Sequence, residues 1–151
     1  MTVVPPPIPA DIQALTEALR PAVLRLSRKL RRESQQVGLS PLDAMLLGGI
    51  KLQDGIGVSD LADQEQMSRP TMSAHVKRLE AAGWLARQPP PADDKRRVGL
   101  TLTPAGTKAL EAVRRRRNDW LAKQLAGLSP DAREALAAAV GALAQIAGDK
   151  R

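Results

Sequence analysis

The chain has 151 residues, enough for one domain with its own hydrophobic core. Its formal net charge of +7 and pI near 10.5 favour a polyanionic partner, either a nucleic acid or an acidic membrane surface. Cysteine is absent and there is one histidine, which excludes disulfides and thiol redox sensing and argues against metal sites and metal cofactors.

The N-terminal segment, residues 1–9, is rich in proline and is predicted to be disordered. It has neither a basic n-region nor an apolar h-region, so it does not resemble a signal peptide. The longest apolar stretches of the chain fall well short of the ~20 residues that a membrane span needs. The sequence therefore predicts a soluble cytoplasmic protein that does not enter a membrane.

Helices dominate the predicted structure. Apolar residues three or four apart predict a first helix over residues 10–34, in which Pro21 should introduce a kink or mark where the regular part begins. A second, mostly apolar helix over residues 41–53 should be buried. Three helices are predicted to begin with an N-cap hydroxyl followed by proline: Ser40-Pro41, Thr103-Pro104 and Ser129-Pro130.

The middle of the chain alternates short elements. Residues 54–57 predict a turn with a short strand near 56–58, and Ser59 is expected to cap a short helix over 60–64. A turn at 65–67 and a cap at Ser68 should lead into a fourth helix that stops at Gly83. Two strands, 84–88 and 98–102, flank a loop, and Gly99 is expected to weaken the second strand.

The fourth helix has two different faces. At 100° per residue, Met72, Val76 and Leu79 point to the core, while the opposite face mixes small residues, hydroxyls and cations, as a helix that enters a DNA groove does. The residues of this helix predicted to bind DNA are Ser68, Arg69, Pro70, Thr71, Ser73, Ala74, Lys77 and Arg78. Taken alone, the pattern fits an ordinary solvated surface helix equally well. The short helix and turn before it favour a helix-turn-helix.

The loop between the two strands carries a charged tip. Arg96 is predicted to reach into the minor groove, held by Asp94 through a bidentate pair, with Arg97 beside it. Without the helix before it, this loop would be interpreted as a hairpin loop whose charged residues are merely solvated. Pro89 to Pro91 make its arm unusual. The basic run Arg114 to Arg117 cannot form one surface, because successive helical residues point in different directions.

These patterns favour a DNA-binding protein over other classes. The only aromatic residues are Trp84 and Trp120, too few for the base stacking by which proteins grip single strands. No P-loop, dinucleotide fingerprint or zincin motif supports an enzyme, and His75 has no evident carboxylate partner that would make it a catalytic base. A ligand-independent architectural DNA-binding protein and a protein-binding winged helix remain alternatives.

The wing and helix motifs resemble those of the MarR family of transcriptional regulators. The wing signature is matched by Asp94, Arg96, Leu100, Leu102, Thr103 and Gly106, and residues 58–83 fit the helix-turn-helix portion. The resemblance implies a mainly α fold with a small β-wing: a winged helix-turn-helix over 40–103 and a helical dimerisation region over 10–36 and 104–148. It also implies a homodimer on a palindromic double-stranded operator, and repression that is relieved by a small ligand, often an anionic aromatic.

Overall fold

A computed structural model describes residues 7–89 and 98–148. The chain divides into two compact units, residues 1–117 and 118–151. The elements follow in the order α1 (Ala10–Gln35), α2 (Pro41–Leu52), β1 (Ile56–Gly57), α3 (Val58–Gln64), α4 (Arg69–Ala81), β2 (Leu85–Arg87), β3 (Gly99–Leu102), α5 (Pro104–Ala126) and α6 (Pro130–Ile146). The predicted helical architecture with a small antiparallel sheet is confirmed.

The hydroxyl–proline starts are confirmed in all three places. Ser40 Oγ accepts a hydrogen bond from the Asp43 backbone N–H at 3.0 Å, Thr103 Oγ1 from Gly106 at 3.0 Å, and Ser129 Oγ from Ala132 at 3.2 Å. Each bond satisfies a donor that the first helical turn leaves without a partner, and is worth about 1 kcal/mol.

One predicted helix cap is wrong, and one of the two alternatives for Pro21 is excluded. The third helix begins at Val58 with Gly57 as its N-cap, so Ser59 lies inside the helix and does not cap it. Because Gly57 pairs with Gly99 in the sheet, the chain leaves the strand directly into the helix. The first helix runs without interruption from Ala10 through Pro21, so the proline does not mark its beginning.

The core of the first unit lies between the helices α2 to α4, the sheet and the first half of α5. The fully buried Leu, Ile, Met and Val side chains of these elements are Leu46, Leu47, Ile50, Leu61, Met72, Val76, Leu79, Leu85, Leu100 and Val113. Each such side chain contributes roughly 1.5–3 kcal/mol when it leaves water. Trp84, which precedes β2, packs against this cluster.

The sheet has the strand order β1-β3-β2, and both pairings are antiparallel. Leu85 pairs with Leu102 and Arg87 with Leu100, while Gly99 pairs with Gly57. Gly99, which the sequence predicts to weaken its strand, also meets a steric requirement. A Cβ atom at this position would lie 2.6 Å from the carbonyl oxygen of Gly55, so a side chain there would push β3 away from the turn before β1.

Candidate DNA-binding surface

The exposed face of α4 brings the predicted DNA-binding residues of this helix together. Met72, Val76 and Leu79 are fully buried and attach the helix to the core, as predicted. On the other side, all eight predicted residues except the half-buried Ser73 are exposed: Ser68, Arg69, Pro70, Thr71, Ala74, Lys77 and Arg78. The helix therefore presents hydroxyls, small side chains and cations on one solvent-facing surface.

The N-terminus of α4 orders two of these hydroxyls. Ser68 Oγ accepts from the Thr71 backbone N–H at 3.2 Å and lies 2.7 Å from Thr71 Oγ1. Both side chains stay exposed, so each oxygen can still meet a phosphate or a base edge. In the preceding turn Gln66 has a φ of 52°, a left-handed conformation that turns the chain between α3 and α4.

Among the ion pairs of residues 7–89 and 98–148, Arg78 is the one predicted DNA-binding residue of the helix whose charged group is held by an acidic residue of another element. Its Nη1 donates to Asp43 Oδ2 of α2 at 3.1 Å, and its Nη2 donates to Asp43 Oδ1. His75 Nδ1 lies 3.4 Å from the same Nη2. Asp43 is 4% exposed, whereas half of the Arg78 side chain is exposed.

The protonation of this pair is well defined. Burial would raise the pKa of Asp43, but the hydrogen bonds from Arg78 and Ser40 and the charge of Arg78 together lower it below its ordinary value of 3.8. The same contact raises the pKa of Arg78. Sequence reasoning missed Asp43, although an aspartate within an otherwise apolar helix is a signal that could have singled it out.

The base of the wing is held by polar contacts on both sides. Asp54, in the turn before β1, accepts from Gln88 Nε2 at 3.1 Å and from Thr101 Oγ1 at 2.5 Å. Arg87 Nε donates to Glu80 Oε2 at 3.2 Å, which ties β2 to the end of α4. The predicted wing residues Asp94, Arg96 and Arg97 lie outside the described residues, so their roles stay predictions.

A cleft of about 700 Å³ lies between α1, α2 and α5 in the first unit. We call it the α1–α2–α5 cleft, and its lining residues are Ser27, Leu30, Arg31, Pro41, Leu42, Met45 and Arg117. Arg117 Nε donates to the Leu30 carbonyl oxygen at 3.2 Å. Burial lowers the pKa of Arg117, and the charge of Arg31 lowers it further. The cleft has a mainly apolar lining with two cationic side chains, Arg31 and Arg117. Sequence reasoning did not identify this combination of residues as a site.

Comparisons with known proteins agree with this geometry. The model of the MarR family matches residues 37–97. An HTH-type transcriptional regulator from Mycobacterium bovis is 34% identical over 127 residues, covering 83% of this chain and 87% of the relative. Another from Mycobacterium leprae is 32% identical over 124 residues, covering 81% and 85%. The chain belongs to the MarR family.

Solved structures share the fold along nearly the whole chain. The crystal structure of a transcriptional regulator protein from Pseudomonas aeruginosa has a TM-score of 0.79 and 32% identity, covering 95% of this chain and 100% of that one. A MepR mutant from Staphylococcus aureus bound to an oligodeoxyribonucleotide has a TM-score of 0.67 and 23% identity, covering 86% and 95%. Membership of the MarR family makes this chain a DNA-binding transcriptional regulator with a winged-helix fold.

Helices α1 and α6 of this MarR-family chain each carry several apolar side chains that water reaches. On α1 these are Ile12, Leu15, Val23, Leu24 and Leu26, and on α6 they are Leu136, Val140, Leu143 and Ile146. Their exposed fractions run from 37% at Leu143 to 77% at Ile146, and α6 has no buried residue.

No helix in the described ranges 7–89 and 98–148 is long and apolar enough to cross a membrane.

Proposed function

We propose that this MarR-family protein is a cytoplasmic repressor. It binds a palindromic operator as a homodimer and leaves it when a small anionic aromatic ligand binds. The observation that carries the proposal is the exposed face of α4, where hydroxyls and cations stand on a helix fixed to the core by Met72, Val76 and Leu79. A helix with one face packed against the core and the other polar and exposed can be held in the major groove, where its polar face contacts the bases.

Within that face we assign Lys77 to a phosphate, because a compact ammonium acts as a point charge. Lys77→Ala should weaken binding to operator and to unrelated duplex alike, and reduce the slope of log K against log salt by about one. Lys123→Ala removes the same charge from the far half of α5 and is the matched control. A salt titration by fluorescence anisotropy measures both, and equal slopes for the two variants would contradict the assignment.

The homodimer is proposed to form through residues 10–36 and 104–148. The exposed apolar side chains of α1 and α6 would otherwise remain in water, and burying them against a second copy is favourable. The two copies of α4, as the recognition helices of the dimer, should then meet half-sites about one DNA turn, ~34–36 Å, apart. Val140→Glu should yield monomers in analytical ultracentrifugation, whereas Gln145→Glu on the same helix should not. A wild-type monomer at micromolar concentration would refute the dimer.

The ligand is proposed to bind in the α1–α2–α5 cleft. Leu30, Leu42 and Met45 can cover an aromatic ring, while an anionic group would relieve the repulsion between Arg31 and Arg117. Benzoate serves as the probe and should raise the melting temperature and release operator. Arg117→Gln should lose both effects and the exposed Arg114→Gln should keep them. Equal responses of the two variants would remove the ligand from this cleft.

Operator specificity separates this function from architectural DNA binding. Full-length protein is first used to select preferred duplexes from a random library, and the selected duplex is then footprinted. A repressor protects one short palindrome, whereas an architectural protein coats the duplex uniformly. Uniform coating at every protein concentration would overturn the proposed function.

A further inference from the structure

The Asp43–Arg78 pair joins the recognition helix α4 to α2, one of the helices that line the α1–α2–α5 cleft. Asp43 lies on α2, 35 residues before Arg78 in the sequence, and both oxygens of its carboxylate accept from the guanidinium. On the same helix Leu42 and Met45 line the α1–α2–α5 cleft. The pair thus connects α4 with the core side of α2 through two parallel hydrogen bonds, which fix angle as well as distance.

The burial of Asp43 makes this contact hard to exchange. If the guanidinium turned away to reach a phosphate, a carboxylate that is 4% exposed would be left without its cation. Such an unpaired buried charge is far more costly than the gain from one exposed phosphate contact. The lowered pKa of Asp43, in spite of its burial, agrees with a carboxylate that stays charged and paired.

We propose that Arg78 is a positioning residue, which sets the rotation of α4 through Asp43 and thereby determines operator discrimination. The inference rests on the proposed function, since it concerns how α4 reads DNA. A rotated α4 would meet the wrong base edges, while the number of cations near the phosphates would hardly change. Loss of the pair should therefore reduce specific binding and leave non-specific binding nearly intact.

Asp43→Asn should change operator affinity in opposite directions, depending on whether the pair acts through its charge alone or by positioning α4. The substitution removes one negative charge, so electrostatics alone predicts tighter binding to every duplex. If the pair positions α4, operator binding weakens even though the protein has become more positive. Glu80→Gln is the matched control, because it removes an acidic charge at the end of α4 that pairs with Arg87.

The experiment compares a selected operator with a scrambled duplex of equal length and composition, over a range of salt concentrations. The variants are Asp43→Asn, Arg78→Lys, Arg78→Gln and the double Asp43→Asn/Arg78→Gln, with Lys77→Ala and Glu80→Gln as controls. Each Asp43 or Arg78 variant should lower the operator-to-scrambled affinity ratio about tenfold, with the salt slope unchanged. The double variant should lose no more than a single one, because both changes break the same contact.

The inference is overturned if Arg78→Gln reduces the salt slope by about one on both duplexes, if Arg78→Lys keeps the wild-type ratio, or if Asp43→Asn tightens both complexes. Circular dichroism establishes folding, and if Asp43→Asn unfolds, the half-exposed Arg78→Lys decides the question. Wild-type protein with no operator preference overturns the proposed function and the inference together. A wild-type preference that the variants share overturns the inference alone.

Discussion

Gly106→Ala is a substitution for which helix propensity and packing predict opposite signs. Gly106 is in the first turn of α5, where replacement of glycine by alanine would favour the helix by up to about 1 kcal/mol. However, a Cβ atom there would lie 1.9 Å from the Trp84 carbonyl oxygen, whereas ordinary contacts begin at 3.4 Å. The start of α5 and the base of β2 would have to separate by roughly 1.5 Å.

That movement acts on two hydrogen bonds at once. The Trp84 carbonyl accepts from the Thr103 N–H at 3.1 Å, and Thr103 caps the helix through the Gly106 N–H at 3.0 Å. Overpacking costs about 1–3 kcal/mol and each weakened bond about 1 kcal/mol, so the net destabilisation should be about 2–4 kcal/mol. The melting temperature should fall by about 5–15 °C.

The measurement is thermal unfolding followed by circular dichroism at a fixed protein concentration, because the proposed dimerisation would make the midpoint depend on concentration. Gly48→Ala is the control, because this position is also inside a helix and a Cβ atom there would have no neighbour within 4 Å. It should raise stability by about 0.5–1 kcal/mol. A Gly106→Ala protein that melts at or above the wild-type temperature would refute the packing argument.

Three further outcomes are expected. Because the folded-state pKa of Asp43 lies below its ordinary value of 3.8, the pair with Arg78 contributes its full stability above that ordinary value and loses it as the pH falls through the folded-state pKa. Urea unfolding between about pH 2 and 6 should show that Asp43→Asn lacks this decline in stability. Parallel curves of stability against pH for the variant and the wild type would contradict the prediction. Arg96→Ala should lose more affinity on operators with A·T-rich flanks than on G·C-rich ones, and an equal loss would reduce the wing to an electrostatic arm. Peroxide should not release DNA in a manner that dithiothreitol reverses, because the chain has no cysteine; reversible release in a gel shift would contradict this.

Much of the fold could be predicted from local patterns. The caps at Ser40, Thr103 and Ser129 form as predicted, because a hydroxyl followed by proline acts within a single helical turn. The core face of α4 was predictable in the same way, since the spacing of Met72, Val76 and Leu79 depends only on helix geometry. Ser59 failed as a cap because the strand pairing of Gly57 determines where α3 begins.

The candidate site was predictable in composition but not in the function of each side chain. The periodicity of α4 places Lys77 and Arg78 next to each other on the exposed side, and nothing local distinguishes them. Folding brings Asp43 of α2 to Arg78 and to no other cation of α4 in the described ion pairs, so two adjacent cations receive different surroundings.

The sequence by itself determined the family, the order of the elements and the buried face of α4, because these depend on residues within a few positions of each other. Only the tertiary structure decided which charges are paired, why positions 99 and 106 require glycine, and that Arg31 and Arg117 share an apolar cleft. Those features arise where segments distant in sequence come within a few ångströms. There the energy depends on contacts and burial that no local pattern encodes.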